Sequence, residues 1–228
     1  MGEGDQAYGG GGGDDSIMGG AGDDLLYGDA GNDTIMAGPD NDTVVGGEGR
    51  SYLRGEEGDD RILGGADFDD INGNQGRDTI TGGEGDDWVV GGKDADLIFG
   101  ESGGDLVYGN IGDDVLGGGI GDDIVRGGQG NDVCRGDDGN DFISGDRGND
   151  TMDGGLGADI LHTFSEAGLD QVIGFNVQEG DRVMVDPGTK YTLSQVGGDV
   201  VIDMGGDNRM VLVGVQLSSL PEGWIFGA

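Results

Sequence analysis

Uncharged, mostly aliphatic residues return at every ninth position along two thirds of the chain. They are Ile17, Leu26, Ile35, Val44, Leu53, Ile62, Ile71, Ile80, Val89, Ile98, Val107, Leu116, Val125, Cys134, Ile143, Met152 and Leu161. Two places before each of them stands an aspartate. That column reads Asp15, Asp24, Asp33, Asp42, Asp60, Asp69, Asp78, Asp87, Asp96, Asp105, Asp114, Asp123, Asp132, Asp141, Asp150 and Asp159, broken only by Ser51. The unit is G-G-x-G-x-D-x-U-x, with U the apolar position, and it runs seventeen times from Gly10 to His162 without an insertion. A fixed period of this kind marks a solenoid built from one stacked supersecondary unit.

The unit predicts its own local structure. G-G-x-G-x-D is a turn, because glycines supply positive φ without steric cost. The triplet x-U-x is a short strand, with U on one side and its neighbours on the other. Nine residues make half a coil, so two units complete one turn. Odd and even units then form two parallel sheets whose U side chains meet in a thin core. The expected fold is all-β: a parallel β-roll, roughly 40 Å long at the ~4.8 Å spacing of neighbouring strands. Residues 1–9 read as a worn copy, with Gly2 and Gly4 on consensus glycines, Gln6 in place of the aspartate and Tyr8 in the core slot. The N-terminal end of the roll is then expected to be uncapped, leaving strand edges for a partner.

A core one residue deep from each side buries too little to hold the fold by itself. The net charge of −36 opposes compaction further. Stacking would set aspartates 18 residues apart side by side, Asp15 beside Asp33 and Asp24 beside Asp42. Such neighbours repel unless a cation lies between them. A hard cation with 6–8 oxygen ligands suits carboxylates and loop carbonyls, and calcium fits a flexible all-oxygen site better than magnesium. Zinc is a poor match, because no Cys/His cluster exists. Two rows of nine loops leave at most about sixteen gaps for calcium. Ser51 removes a carboxylate, and Asp40, Asp67 and Asp94 replace the fourth-position glycine; those loops are expected to coordinate differently or bind less well.

The remaining composition narrows the function classes. Such acidity makes nucleic acid and anionic lipid poor partners. No run approaches the ~20 apolar residues of a membrane span. Met1 to Gly10 has neither the basic start nor the apolar core of an N-terminal signal peptide. Cys134 is the only cysteine and falls in the core column, as a small buried hydrophobe would. Gly100 to Gly104 spells G-x-S-x-G around Ser102, but within a repeat loop and far from His162, the only histidine. Catalysis there would need a strand–elbow–helix setting and a histidine base. His162 itself is expected to be a solvated junction residue. The chain is therefore expected not to be an enzyme.

Outside one sheet, Trp88, Leu106, Ile124, Phe142 and Ile160 line up as an apolar stripe. Contiguous apolar patches are usually covered, here most simply by the chain's own tail or by self-association. At Thr163 the repeat stops. Strands are predicted near 170–175, 182–185, 191–195, 199–204 and 210–215, the last three separated by Gly197-Gly198 and Gly205-Gly206. The expected division is a roll over 1–162 and a small β-rich C-terminal cap over 163–228.

The repeat resembles the RTX (repeats-in-toxin, haemolysin-type) calcium-binding nonapeptide. The resemblance implies a parallel β-roll with rows of calcium ions between successive loops, held by the sixth-position aspartates and loop carbonyls. The tail is similar to the C-terminal region of RTX exoproteins in LDQVIGFNVQEGDRVMVD (169–186), GGDVVIDMGG (197–206), LVGV (212–215) and WIFGA (224–228). That similarity implies a cap carrying an uncleaved signal for type I secretion machinery, and hence an extracellular, secreted or cell-surface protein that folds when it meets calcium outside. Two roles are consistent with this. One is a non-catalytic structural component of a surface layer, matrix or adhesin, assembled through the N-terminal end or the stripe. The other is the calcium-dependent folding and secretion module of a larger exoenzyme.

Overall fold

Each strand turns two residues inward. In the strand Trp88–Lys93, Val89 and Gly91 are buried while Trp88, Val90 and Gly92 face outward. Strands are thus mostly six residues long, x-U-x-G-G-x, rather than the expected three. The first-position glycine points into the roll, so the backbone stays extended until the second position turns it at positive φ. Seven units place Asp, Asn or Glu at that second position, at φ between 66° and 82°. Most of them are Asp or Asn, the non-glycine residues that best tolerate the left-handed region.

The computed structural model describes Gly4 and residues 6–227. The readings of Met1–Glu3 and Asp5, including the consensus position of Gly2, lie outside the described residues. Alternate units feed two sheets. One begins at Ala7–Gly9 and passes through Leu25–Ala30, Thr43–Glu48 and every second strand to Thr151–Leu156; the other begins at Ser16–Met18 and reaches Ile160–Thr163. All these neighbours pair in parallel at a register of 18, as in Leu97↔Val115 and Val89↔Val107. The core column is fully shielded from Leu26 to Leu161, at 0–1% exposure. Cys134 is inside it, as expected, and burial among aspartates pushes its thiol well above its ordinary value. Gln6 joins the stack through its amide, but Tyr8, which pairs with Leu26, is 39% exposed.

The tail prolongs both sheets. Leu169–Ile173 adds in parallel to the first sheet, and Arg182–Val185 and then Ile225–Gly227 to the second. The hairpin strands Thr192–Val196, Asp199–Gly205 and Asn208–Leu212 finish the first sheet, two of the pairings being antiparallel. The core continues through Val172, Val183, Val200, Ile202, Met210 and Leu212 to Trp224, which meets Phe175 edge-on.

The expectation that the tail covers the apolar stripe is therefore wrong. Trp88, Leu106, Ile124, Phe142 and Ile160 do stack in register. The tail's strands prolong the two sheets along the roll axis instead, and Trp88 stays 45% and Ile124 36% exposed.

Candidate metal centre

The aspartate column becomes two ladders. In each, the amide of one sixth-position residue donates to the Oδ1 of the aspartate 18 residues on. Asp15 donates to Asp33 at 2.9 Å, Asp24 to Asp42 at 2.6 Å, and Asp105 to Asp123 at 2.8 Å. One row holds Asp15, Asp33, Ser51, Asp69, Asp87, Asp105, Asp123, Asp141 and Asp159; the other holds Asp24, Asp42, Asp60, Asp78, Asp96, Asp114, Asp132 and Asp150. Ser51 donates its own amide to Asp69 but has no carboxylate for Asp33. Except for half-buried Asp15, these aspartates are buried, at most 3% exposed.

In every one but Asp15, which starts its row, one carboxylate oxygen is thereby satisfied, and the other is not. The Oδ2 atoms of all sixteen aspartates, and the Ser51 hydroxyl, are buried without a hydrogen-bond partner. A buried acceptor left alone costs about 1–3 kcal/mol, and more if charged. Native proteins do not collect sixteen of them without a counterpart.

The space beside each orphan oxygen is defined by the first-position glycine. A methyl group built on Gly10 would stand 2.6 Å from Asp15 Oδ2 and 2.7 Å from the Gly28 carbonyl oxygen on the next coil. On Gly82 it would meet Asp87 Oδ2 at 2.5 Å and the Gly100 carbonyl oxygen at 2.8 Å. Glycine therefore keeps open a cradle lined by oxygens from two coils. Ala37 is an exception in this column within the repeats. Among the described residues no group of three or more His, Cys, Asp or Glu side chains converges on one point. A cation there would take one or two carboxylates and complete its shell from backbone carbonyls, which suits calcium's preference for oxygen.

The carboxylates behave as groups in need of such a charge. Burial pushes Asp60, Asp69, Asp78, Asp87, Asp123, Asp132 and Asp141 up to about 7 and Asp96 to about 8, against an ordinary 3.8. The amide from the previous coil opposes this, and charged neighbours such as Asp42 beside Asp60 reinforce it. Asp42, Asp105, Asp114, Asp150 and Asp159 rise to about 6, again mainly by burial. A bound calcium ion supplies the positive charge that lets these oxygens stay ionised away from water.

The profile of the RTX calcium-binding nonapeptide repeat matches residues 9–44, 36–71, 63–98, 72–107, 99–134 and 126–161. The chain belongs to the RTX family. It is a calcium-binding parallel β-roll. Comparison with curated proteins gives no sequence match. Among solved structures, one to which the chain is similar is the AlgE6R3 subunit of the Azotobacter vinelandii mannuronan C5-epimerase. It is 23% identical over 54% of this chain and 80% of that one, with a TM-score of 0.39. Another is the extracellular lipase LipA of Serratia marcescens, 16% identical over 85% of this chain, with a TM-score of 0.33. The chain spans less than half of that lipase, 44% of its length.

Two features of this RTX roll escaped the sequence reading. A second ladder runs through the fifth position in the opposite sense, where Asn32 donates to Asp14 Oδ1 and Asn140 to Asp122 Oδ1. Its signal was present, since eleven of the seventeen fifth positions are Asp or Asn. Asp170 and Asp181 also continue the two sixth-position rows into the tail.

The fourth-position aspartates Asp40, Asp67 and Asp94 keep the left-handed backbone of the glycines they replace, at φ 66–81°. Ser102 closes the strand Leu97–Ser102 and pairs with Glu84 and Ile120, with no elbow. His162 is not the solvated residue expected. Its side chain is 12% exposed, stacked between Phe142 and Phe164, and bonded to Ser144 and Asp186. The Ser144 hydroxyl is buried and donates to Asp146 Oδ1 at 2.8 Å, so this serine–histidine–aspartate line presents no accessible nucleophile.

Proposed function

We propose that this protein is a secreted, non-catalytic RTX roll whose folding is driven by extracellular calcium, with a structural role in a surface layer, matrix or adhesin. The sixteen sixth-position aspartates from Asp15 to Asp159 are its ligands, and up to about sixteen gaps take calcium. Residues 1–162 form the roll, and 163–228 form the cap that carries the signal for type I secretion. The observation that carries this reading is the column of buried, unpartnered Oδ2 atoms. Without the ion, folding must desolvate a row of mutually repelling carboxylates, so the chain stays open where calcium is scarce. This logic couples export in an unfolded state to folding outside. The exposed stripe around Trp88 and Ile124 supports assembly as the structural role.

Sedimentation velocity from excess chelator to 10 mM calcium tests the proposal. The expected result is a slow, expanded monomer in chelator that compacts with calcium and then forms larger species. Compaction that stops at a monomer would favour the module of a larger exoenzyme instead. A particle already compact in chelator at neutral pH would refute calcium-driven folding.

A further inference from the structure

Beyond the repeats, residues 168–172 rebuild the loop geometry that surrounds each cradle. Gly168 has φ +110°, in the fourth-position manner, and bridges in parallel to Gly148. A methyl on Gly168 would run into the Gly148 carbonyl oxygen, as one on Gly148 would into that of Gly130. The Leu169 amide donates to Asn149 Oδ1 at 3.2 Å, extending the fifth-position ladder. The Asp150 amide donates to Asp170 Oδ1 at 3.3 Å, extending the sixth. Val172 then fills the core slot at 0% exposure. The segment G-L-D-Q-V is thus positions four to eight of a unit whose first part has gained two residues, so the spacing is 20 instead of 18.

Asp150 and Asp170 are each 1% exposed, and Asp150 Oδ2 has no partner. The other row ends differently. Asp181 also accepts from the coil below, at 3.2 Å from the Asp159 amide. Its Oδ2, however, is taken by the Asn176 amide at 2.7 Å. The 174–180 turn folds onto the Asn176 carbonyl instead of stacking a fourth-position glycine over Gly157.

We propose that Asp150 and Asp170 hold one further calcium ion, in a gap that the repeat motif does not describe, while Asp181, its Oδ2 already bonded to the Asn176 amide, is not a ligand. The inference rests on the calcium reading of the repeats. It makes the tail a metal ligand and ties the order of 163–173 to calcium.

Native mass spectrometry of the calcium-loaded full chain counts the ions directly. Asp170→Asn should carry one ion fewer than the unaltered chain, and Asp181→Asn the same number. An Asp170→Asn chain with the full number of ions would overturn the inference while leaving the repeat sites standing. An unaltered chain that binds none would overturn the calcium reading itself. Should Asp170→Asn fail to fold, the anomalous difference map of calcium-grown crystals of the unaltered chain decides. A peak between Asp150 and Asp170 is expected, and an empty gap beside filled ones would sink the idea.

Discussion

At the scale of single residues, the first-position glycine matters because of what it leaves open. Gly82→Ala puts a methyl group against Asp87 Oδ2 and the Gly100 carbonyl oxygen. The fold should survive, since Ala37 occupies the same position, but the calcium concentration needed for half-folding should rise. A circular-dichroism calcium titration with an unshifted midpoint would remove the cradle from the account. The carboxylates themselves predict a pH effect with a definite sign. In the calcium-free roll many of them hold protons up to about 6–8, whereas an unfolded chain releases them near 3.8. Proton binding therefore favours the calcium-free fold fully below about 3.8, and that contribution is lost as pH rises through 6–8. In chelator the chain should be more compact at pH 4 than at pH 8, and equal sedimentation coefficients at the two would contradict this. With calcium present the trend reverses, because protons and calcium compete for the same oxygens.

At the scale of elements, each six-residue strand contributes one large side chain to a core with no second layer behind it. Ile98→Ala should lower the calcium-loaded unfolding free energy by about 2–5 kcal/mol in a urea titration. Ser51→Asp should do the opposite, supplying the missing acceptor for the Asp33 amide and a new oxygen for the ion; native mass spectrometry would then find at least one more ion. The regular part of this architecture was legible because its period never slips. The spacing of Asp15 and Asp33 alone fixes both the sheet pairing and the ladder register. Where spacing fails, so does the reading: Asp170 and Asp181 lie 20 and 22 residues past their partners and fell out of the column. Their D-x-V triplets, Asp170-Gln171-Val172 and Asp181-Arg182-Val183, were the remaining trace. The strand length was misjudged for a related reason. Glycine signals a turn in sequence, yet at the first position it is an inward-facing strand residue whose lack of a side chain is its purpose. The fate of the stripe depended on where the tail's apolar residues were used, which no periodicity records.

At the scale of the whole molecule, the strand register and both side-chain ladders of the roll repeat every 18 residues, so each coil holds only its neighbours. The exposed Trp88 lies in an apolar stripe through which two rolls could join. Trp88→Ser should leave calcium-dependent compaction intact and reduce any larger species in the sedimentation profile. The ladder has a mechanical consequence as well. Pulled apart from its ends in calcium, such a screw of equal rungs has no single point of failure. It should pay out in steps of one coil, each releasing 18 residues and lengthening the tether by about 60 Å. Chelator should flatten that staircase into the smooth extension of an unstructured polymer, and an optical-tweezers trace with one large rip would show that the coils fail together instead.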